Sequence, residues 1–293
     1  MMKINTPILI LTALAAAATS CNKTSTPEAP FDPVVRVAPE VARQTKGSYT
    51  TENLKEFDLF IHSANSRYSY TNTKFTKNTE TGEWEPASTK PMLWEGKDKG
   101  FKFLAVAPPL PKRDVSLTET GDIFEFTVEP VQTAESNASD LLWAGQGMSK
   151  DITPSDEKYF AGGKLKFEFD HALTLLKVQL TFGTEFNHEK VLENNPVSEL
   201  KISGFKPTVK VGYGSLTISG TAGEIQAYQS AWTKAEDKTK NCVAVFECIV
   251  VPQSMDKFTV DFVCGGKPYT YTATLTKNGS SFAFMGGQAY TLP

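Results

Sequence analysis

Apolar and polar residues alternate along much of the chain, and a period of two is typical of strands that bury one face. Three segments of the first half show it clearly, 57–61, 101–108 and 123–128. Their large apolar residues share one parity within each segment: Phe57, Leu59 and Ile61; Phe101, Phe103, Ala105 and Ala107; Phe124, Phe126 and Val128. We therefore predict half-buried strands here, with shorter strands at 141–144, around Tyr68 and Tyr70, and around Met92 and Trp94.

The segment 150–163 is polar and contains a proline and paired glycines, which favours a connection between domains. We place a domain boundary at residue 160. After it, buried positions are odd in 164–171 and even in 176–182. A bulge or bend near 171–175 must absorb this one-residue change of parity.

Strong strand patterns continue to the end of the chain. Segments 258–264 and 269–276 flank a GGKP turn, which predicts a β-hairpin. Segment 243–251 is apolar on both parities, as in a central strand covered on both sides. If it also paired with 258–264 around PQSMDK, Cys248 would face Asp261 and Cys264 would face Val245. No segment keeps a helical period over a dozen residues, so the pattern predicts an all-β fold of two tandem sandwich domains, 34–159 and 160–293.

The segment 34–47 alternates around Pro39, which favours a single strand at a sheet edge because proline cannot donate to a ladder. It contains Arg36 and Arg43. The preceding residues, 22–33, are polar and proline-rich, which is the composition of a flexible tether.

The first 21 residues have the features of an export signal. Lys3 is followed by an apolar run over 7–19 and by small residues before Cys21. This run is too short to cross roughly 30 Å of hydrocarbon as a helix. A simple secretory signal would leave Cys21 unexplained, so we predict a lipoprotein signal, with acyl chains such as palmitate on Cys21 holding the protein on the outer membrane.

Composition excludes two classes of protein. Hydrophobic residues make up 40% of the chain, which excludes disorder for most of it. The formal net charge of −3 comes without a basic stripe, so nucleic acid is not an expected partner.

Cysteine and histidine are sparse. Cys242, Cys248 and Cys264 are an odd number in one region, which is typical of small core residues, although a disulfide between two of them stays open. The histidines, His62, His171 and His188, lie far from this group in sequence, so we predict no metal site. No HExxH, GxSxG or phosphate-binding glycine loop is present, so we predict neither an enzyme nor a cofactor, and we interpret His171 as a core or turn histidine.

Aromatic residues between 67 and 94 suggest a second interpretation. Tyr68, Tyr70, Trp84 and Trp94 are candidates for a platform that contacts a glycan. Tyrosines and tryptophans are also good strand formers, which is the simpler explanation.

Several short motifs occur in a particular order along the chain. They are the lipoprotein signal, Arg43 ahead of the first domain strand, DLLWA (140–144), FEFDHALTLLKVQLTF (167–182), VVPQ (250–253), G-x-x-Y (266–269) and FAFMGGQAYTL (282–292). In this combination the chain resembles the fimbrillin family of Bacteroides-type bacteria, over nearly its whole length.

The resemblance implies a pilus subunit made of two transthyretin-like Greek-key β-sandwich domains and carried to the cell surface as an outer-membrane lipoprotein. In such subunits a trypsin-like protease cuts after an arginine and releases the first strand. The C-terminal strand of another subunit then fills the groove by β-strand addition. Arg43 matches the cut site best and Arg36 second, so the displaced strand would be 34–42, with Val34, Val35, Val37 and Val41.

One departure bears on position in the filament. Many stalk subunits continue well past the G-x-x-Y strand into a donor segment, whereas this sequence stops at Pro293. We therefore expect a tip or accessory subunit that contributes to adhesion to a surface receptor. The alternative is a surface carbohydrate-binding lipoprotein outside any filament.

Overall fold

The computed structural model describes residues 30–42, 49–110, 122–134, 138–145, 151–187, 190–276 and 280–293. Within these ranges the regular elements are strands, apart from two short 3-10 helices, Ser66–Tyr68 and Thr184–Asn187. The predicted all-β class is confirmed, while the Greek-key, transthyretin-like arrangement stays a prediction. None of the described segments forms a helix long and apolar enough to span a membrane.

The strands of the first part of the chain are β1 (Val37–Val41), β2 (Glu56–Ser63), β3 (Tyr70–Lys77), β4 (Trp84–Pro86), β5 (Phe101–Ala107), β6 (Asp122–Thr127), β7 (Leu142–Ala144), β8 (Phe160–Ala161), β9 (Lys164–His171) and β10 (Thr174–Phe182). The remainder are β11 (Val197–Phe205), β12 (Thr208–Gly212), β13 (Ser215–Ser219), β14 (Gly223–Gln226), β15 (Tyr228–Thr233), β16 (Cys242–Val250), β17 (Ser254–Met255), β18 (Lys257–Cys264), β19 (Lys267–Thr274), β20 (Phe282–Ala283) and β21 (Ala289–Leu292).

These strands form one large sheet and several smaller ones. The large sheet has the order β1-β9-β7-β5-β2-β3-β4, and β8 pairs with β9. Two four-stranded sheets follow, β15-β16-β10-β21 and β14-β11-β18-β19. A three-stranded sheet, β13-β12-β6, and the pair β17-β20 complete the described fold.

The central strands of the large sheet are buried on both faces. On β2, Phe57, Leu59 and Ile61 belong to one hydrophobic core, whereas Phe60 belongs to a second core shared with the smaller sheets. β5 and β7 are divided between the two cores in the same way. The predicted faces of β2 and β5 are confirmed, but the description of these strands as half-buried is wrong, because the second core covers the face expected to meet water.

The change of parity after β9 marks a change of sheet. β9 belongs to the large sheet, and β10 belongs to the sheet that contains β16. Ala172 and Leu173 form the link between them, so the predicted bend is confirmed.

Strands from both sides of residue 160 share sheets. β8 and β9 extend the large sheet, and β6 pairs with β12. Residues Asp32–Pro293 form one compact unit. A division into two domains at residue 160 stays a prediction. After β9 the chain leaves the large sheet at Ala172.

The hairpin considered between 243–251 and 258–264 does not occur in the structure. β16 lies between β10 and β15, while β18 lies between β11 and β19. The connection carries the chain from one sheet to another, and the side chain of Gln253 secures it by accepting a hydrogen bond from Lys206 N (3.2 Å) and donating to Val251 O (3.1 Å). The central position of β16 is confirmed. The hairpin of β18 and β19 is also confirmed, and Gly265 and Gly266 supply the positive φ angles of its turn.

The three cysteines are free and buried. Cys248 lies opposite Leu176, and Cys264 lies opposite Val197 and Lys267, so the oppositions that such a hairpin would produce do not occur. Burial beside Glu247 raises the pKa of the Cys248 thiol to about 12, which makes it an unreactive core residue.

The segment before β21 closes the link between β9 and β10. Gly287 N donates to Leu173 O (2.8 Å), and Thr174 Oγ1 donates to Met285 O (2.8 Å). Gly286 leaves no space for a side chain, since a Cβ there would lie 2.5 Å from Ala172 O. Two of the motifs that suggested the family therefore meet at this point.

We expect Gly286→Ala to lower the free energy of unfolding by about 2 kcal/mol, because the added methyl group must displace backbone. Gly223→Ala is the matched control, since a Cβ there meets nothing within 4 Å. Urea unfolding of both variants measures the difference, and equal stability of the two would contradict the close approach.

Candidate strand-exchange site

β1 is an edge strand of the large sheet. β9 is its strand partner, in parallel register from Val37 opposite Leu165 to Val41 opposite Phe169. Backbone bonds outside the strands hold its two ends, from Val35 N to Met92 O (2.9 Å) and from Ala42 N to Phe169 O (2.8 Å). The edge position predicted from Pro39 is confirmed.

The odd-numbered residues of β1, and Val35 just before it, fill the first core. Val35, Val37 and Val41 are 3%, 2% and 7% exposed, and Pro39 is also buried. Val34 is half-buried at the rim, where it forms a bridge with Leu93. Three of the four valines proposed for the displaced strand thus bury their side chains.

Pro39 lies where its missing backbone N–H removes no hydrogen bond between β1 and β9. Arg36 O accepts from Leu165 N (2.8 Å) and Ala42 N donates to Phe169 O, so the even-numbered residues direct their backbone groups toward β9. By alternation, Pro39 faces the open edge. A proline there also hinders a further strand from pairing outside β1.

Aromatic rings beneath β1 form the floor of this part of the core. The ring of Phe57 packs edge-on against Phe167 and Phe169 of β9, with centroids 5.7 and 5.6 Å apart. It also stacks on Phe75 at 5.4 Å. These contacts do not involve β1, so removal of β1 would uncover an apolar groove whose floor is already packed.

Arg36, the second candidate cleavage site, directly precedes β1. Arg36 is tied at both its side chain and its carbonyl, because its guanidinium lies 3.0 Å from the Asp32 carboxylate and its carbonyl accepts from Leu165. Hydrogen bonds from Val34 N and from Arg36 lower the pKa of Asp32. Arg43 lies outside the described residues, as does the predicted lipidation site Cys21.

The four aromatic candidates for glycan contact do not form one platform. Trp94 is a core residue, 5% exposed, whose ring centroid lies 4.5 Å from that of Phe101. Trp84 packs edge-on against Phe57 at 4.9 Å. The Lys77 ammonium lies over the ring of Trp84, 5.9 Å from its centroid, so both tryptophan rings are engaged within the protein.

Tyr68 and Tyr70 do share a cleft of about 430 Å³, which is also lined by Arg67 and Lys90. The Tyr70 hydroxyl donates to Leu93 O (3.1 Å) and accepts from Leu93 N (2.8 Å), so this residue holds the cleft wall. Tyr68 is half-buried, and its hydroxyl makes no hydrogen bond to the described residues.

His171 is a satisfied core histidine, as predicted from the sequence. Its Nδ1 lies 2.8 Å from Asp140 Oδ1, and both side chains are buried. Sequence reasoning missed Asp140, although it begins the DLLWA motif. Across the described ranges, no three His, Cys, Asp or Glu side chains group in a way that could hold a metal ion.

Comparison with known families decides the class of protein. A family model described as fimbrillin-like matches residues 43–293, which is most of the chain. The chain belongs to the fimbrillin-like family. A comparison with curated proteins finds no match. Membership confirms the resemblance drawn from the motifs and indicates a structural subunit of cell-surface fimbriae, which assembles with other fimbrial subunits.

β1 of this fimbrillin-like chain lies ahead of the matched residues, whereas its partner β9 lies inside them. The strand therefore contributes buried side chains to a domain without being part of the region that the family model describes.

We expect Val37→Ala to loosen β1, because it removes two buried methyl groups at a cost of about 2 kcal/mol. Ala38→Ser is the matched control, since Ala38 is the half-buried neighbour on the opposite face. Hydrogen exchange should show faster exchange of β1 amides in Val37→Ala alone, and unchanged protection there would contradict the importance of the inner face.

Proposed function

We propose that this fimbrillin-like subunit is exported as a lipoprotein through Cys21, loses β1 to a trypsin-like, arginine-specific protease, and then accepts a strand from another subunit in the place of β1. The supporting observation is that β1 buries an apolar side of the first core while pairing with one strand, β9. No other described strand pair has to break for it to leave.

Burial of apolar surface supplies the driving force. Loss of Val35, Val37 and Val41 would expose the inner face of β9, where Leu165, Phe167 and Phe169 alternate. Apolar surface costs about 25 cal/mol for each Å² exposed to water. A donor strand with alternating apolar residues would cover it again and satisfy the backbone groups of β9.

Arg43 is the preferred cleavage site in this proposal. A protease binds its substrate as an accessible, unpaired chain, which loops provide more readily than paired strands. The carbonyl and guanidinium of Arg36 are both engaged. Cleavage after Arg43 would also release the whole of β1, whereas cleavage after Arg36 would leave it in place.

A tip or accessory position, with a part in adhesion, completes the proposal. β21 pairs in parallel with β10 of the same subunit, from Ala289 opposite Leu175 to Leu292 opposite Val178. Residues 289–292 are therefore engaged within their own subunit, which favours a role as strand acceptor.

We expect limited digestion with an arginine-specific protease to cut the folded chain first after Arg43. Arg43→Gln should abolish this cut, and Arg36→Gln should leave it unchanged. Mass spectrometry of the products identifies the site. The cut protein should then take up a synthetic strand from a partner subunit into a complex that survives gel filtration.

Cutting dispersed over the body of the protein, or a clean cut without strand uptake, would argue against strand exchange.

Carbohydrate binding is the second candidate function, and the cleft that contains Tyr68 and Tyr70 favours it. A tyrosine ring beside cationic side chains suits a sugar that carries an acidic group.

We expect Tyr68→Ala to reduce retention on a glycan array about tenfold, because loss of a stacking ring costs on the order of 1 kcal/mol or more. Tyr271→Ala, a change to an exposed tyrosine on β19, is the control. If the intact protein retains no glycan, or if both variants lose equally, the cleft is not a glycan site.

A further inference from the structure

The outer face of β1 places two like charges opposite each other. In the parallel register Glu40 of β1 lies directly opposite Glu168 of β9, and both side chains are exposed. Neither carboxylate has an ion-pair partner among the described residues. Like charges directly opposite each other destabilise a strand pair.

The neighbouring residues of β9 give this face a pattern of charge. Lys166 lies opposite Ala38, so the position before the like-charge pair is basic and meets no charge on β1. Asp170 is the next outward-facing residue after Glu168, and the bond from Ala42 N to Phe169 O continues the register up to it. The outward face of β9 therefore runs basic, acidic, acidic along the path of β1.

A shallow cleft of about 430 Å³ lies along the same face. Glu40, Lys166, Glu168 and Asp170 all line it, together with Lys158. The Lys158 ammonium lies over the ring of Tyr159, 4.9 Å from its centroid. The Glu40–Glu168 opposition therefore lies beside two lysines, and among the described residues neither forms an ion pair with Glu40 or Glu168.

We infer that β9 selects its incoming strand by charge, and that the preferred donor carries a basic residue at the position that Glu40 now occupies. This inference rests on the strand exchange proposed above. The partner is a strand of a second fimbrial subunit with apolar residues facing the core, an acidic or neutral residue opposite Lys166, and lysine or arginine opposite Glu168. β1 has the inner residues of such a strand but the wrong charge at Glu40.

The expected size of the effect is modest for one pair. Exposed cross-strand charge pairs change the stability of a strand pair about two- to fivefold, expressed as an equilibrium constant. Replacing a repulsive pair by an attractive one combines two such steps, so the two donors should differ about tenfold in affinity. The difference should narrow in 0.5 M salt, because exposed charges are screened.

The test uses the full chain after arginine-specific cleavage and three labelled peptides with the sequence of residues 34–42, unchanged or carrying Glu40→Lys or Glu40→Gln. We expect affinity in the order Lys, Gln, Glu. The chain with Glu168→Lys should reverse this order, and the chain with Glu168→Gln, which keeps the shape of the side chain, should bind all three equally.

The outcomes separate the two proposals. Equal uptake of the three peptides by the unchanged chain, or a preference for the Glu peptide, would overturn charge selection and leave strand exchange intact. Uptake of no peptide would overturn strand exchange, and charge selection with it.

A second measurement needs no cleavage. In the uncut chain, Glu40→Lys should slow hydrogen exchange of the β1 amides about tenfold, and the double change with Glu168→Lys should return it to the original rate. Equal slowing in the single and double variants would overturn the direct opposition of the two positions.

Discussion

The parallel pairing of β1 with β9 closes one side of the first core. β1 joins residues near position 40 to residues near position 168, and it buries Val35, Val37 and Val41 beneath the large sheet. It lies at the sheet edge, with no described strand outside it. A strand held in this way contributes much apolar burial but can leave without disturbing any other strand pair. These two properties suit the strand exchange proposed above.

In the proposed exchange, the rest of the large sheet would keep its support when β1 leaves. Its central strands are buried on both faces, since Phe57 and Phe60 of β2 belong to different cores. β9 has supports other than β1, because β7 and β8 pair with it and His171 contacts Asp140. Departure of β1 would therefore open one side of one core, and the second core would still hold the sheet. A groove with a packed floor is a better acceptor than a collapsed one, because little ordering remains to be done when a strand binds.

The sequence predicts features that depend on neighbouring residues better than features that depend on contacts between residues far apart along the chain. Strand positions and their buried faces follow from local alternation, and the edge position of β1 follows from Pro39. Strand order does not follow from local alternation, because the link between 251 and 258 is compatible both with a hairpin and with a crossing between sheets. In the crossing that occurs, Gln253 accepts a hydrogen bond from Lys206, a residue far away in sequence. The burial of Trp94 is another feature that local sequence does not reveal. A tryptophan suits a glycan platform by its residue type, but the rings of Phe101 and Phe160 bury this one. The opposition of Glu40 and Glu168 depends on the register between two strands that are far apart in sequence, so no local pattern predicts it.

In the proposed exchange, the two faces of the incoming strand have different physical tasks. Apolar side chains that face the core supply most of the affinity, but valine-like residues occur at alternate positions of many strands and cannot distinguish one partner from another. Discrimination requires groups whose interaction changes sign with the partner, and charges in direct cross-strand opposition have that property. They also remain exposed, so a matched pair avoids the large desolvation cost of a buried ion pair. In the proposed exchange, the charge of Glu168 would disfavour the subunit's own β1 and favour a donor strand with a basic residue opposite it, while the apolar core would accept either strand.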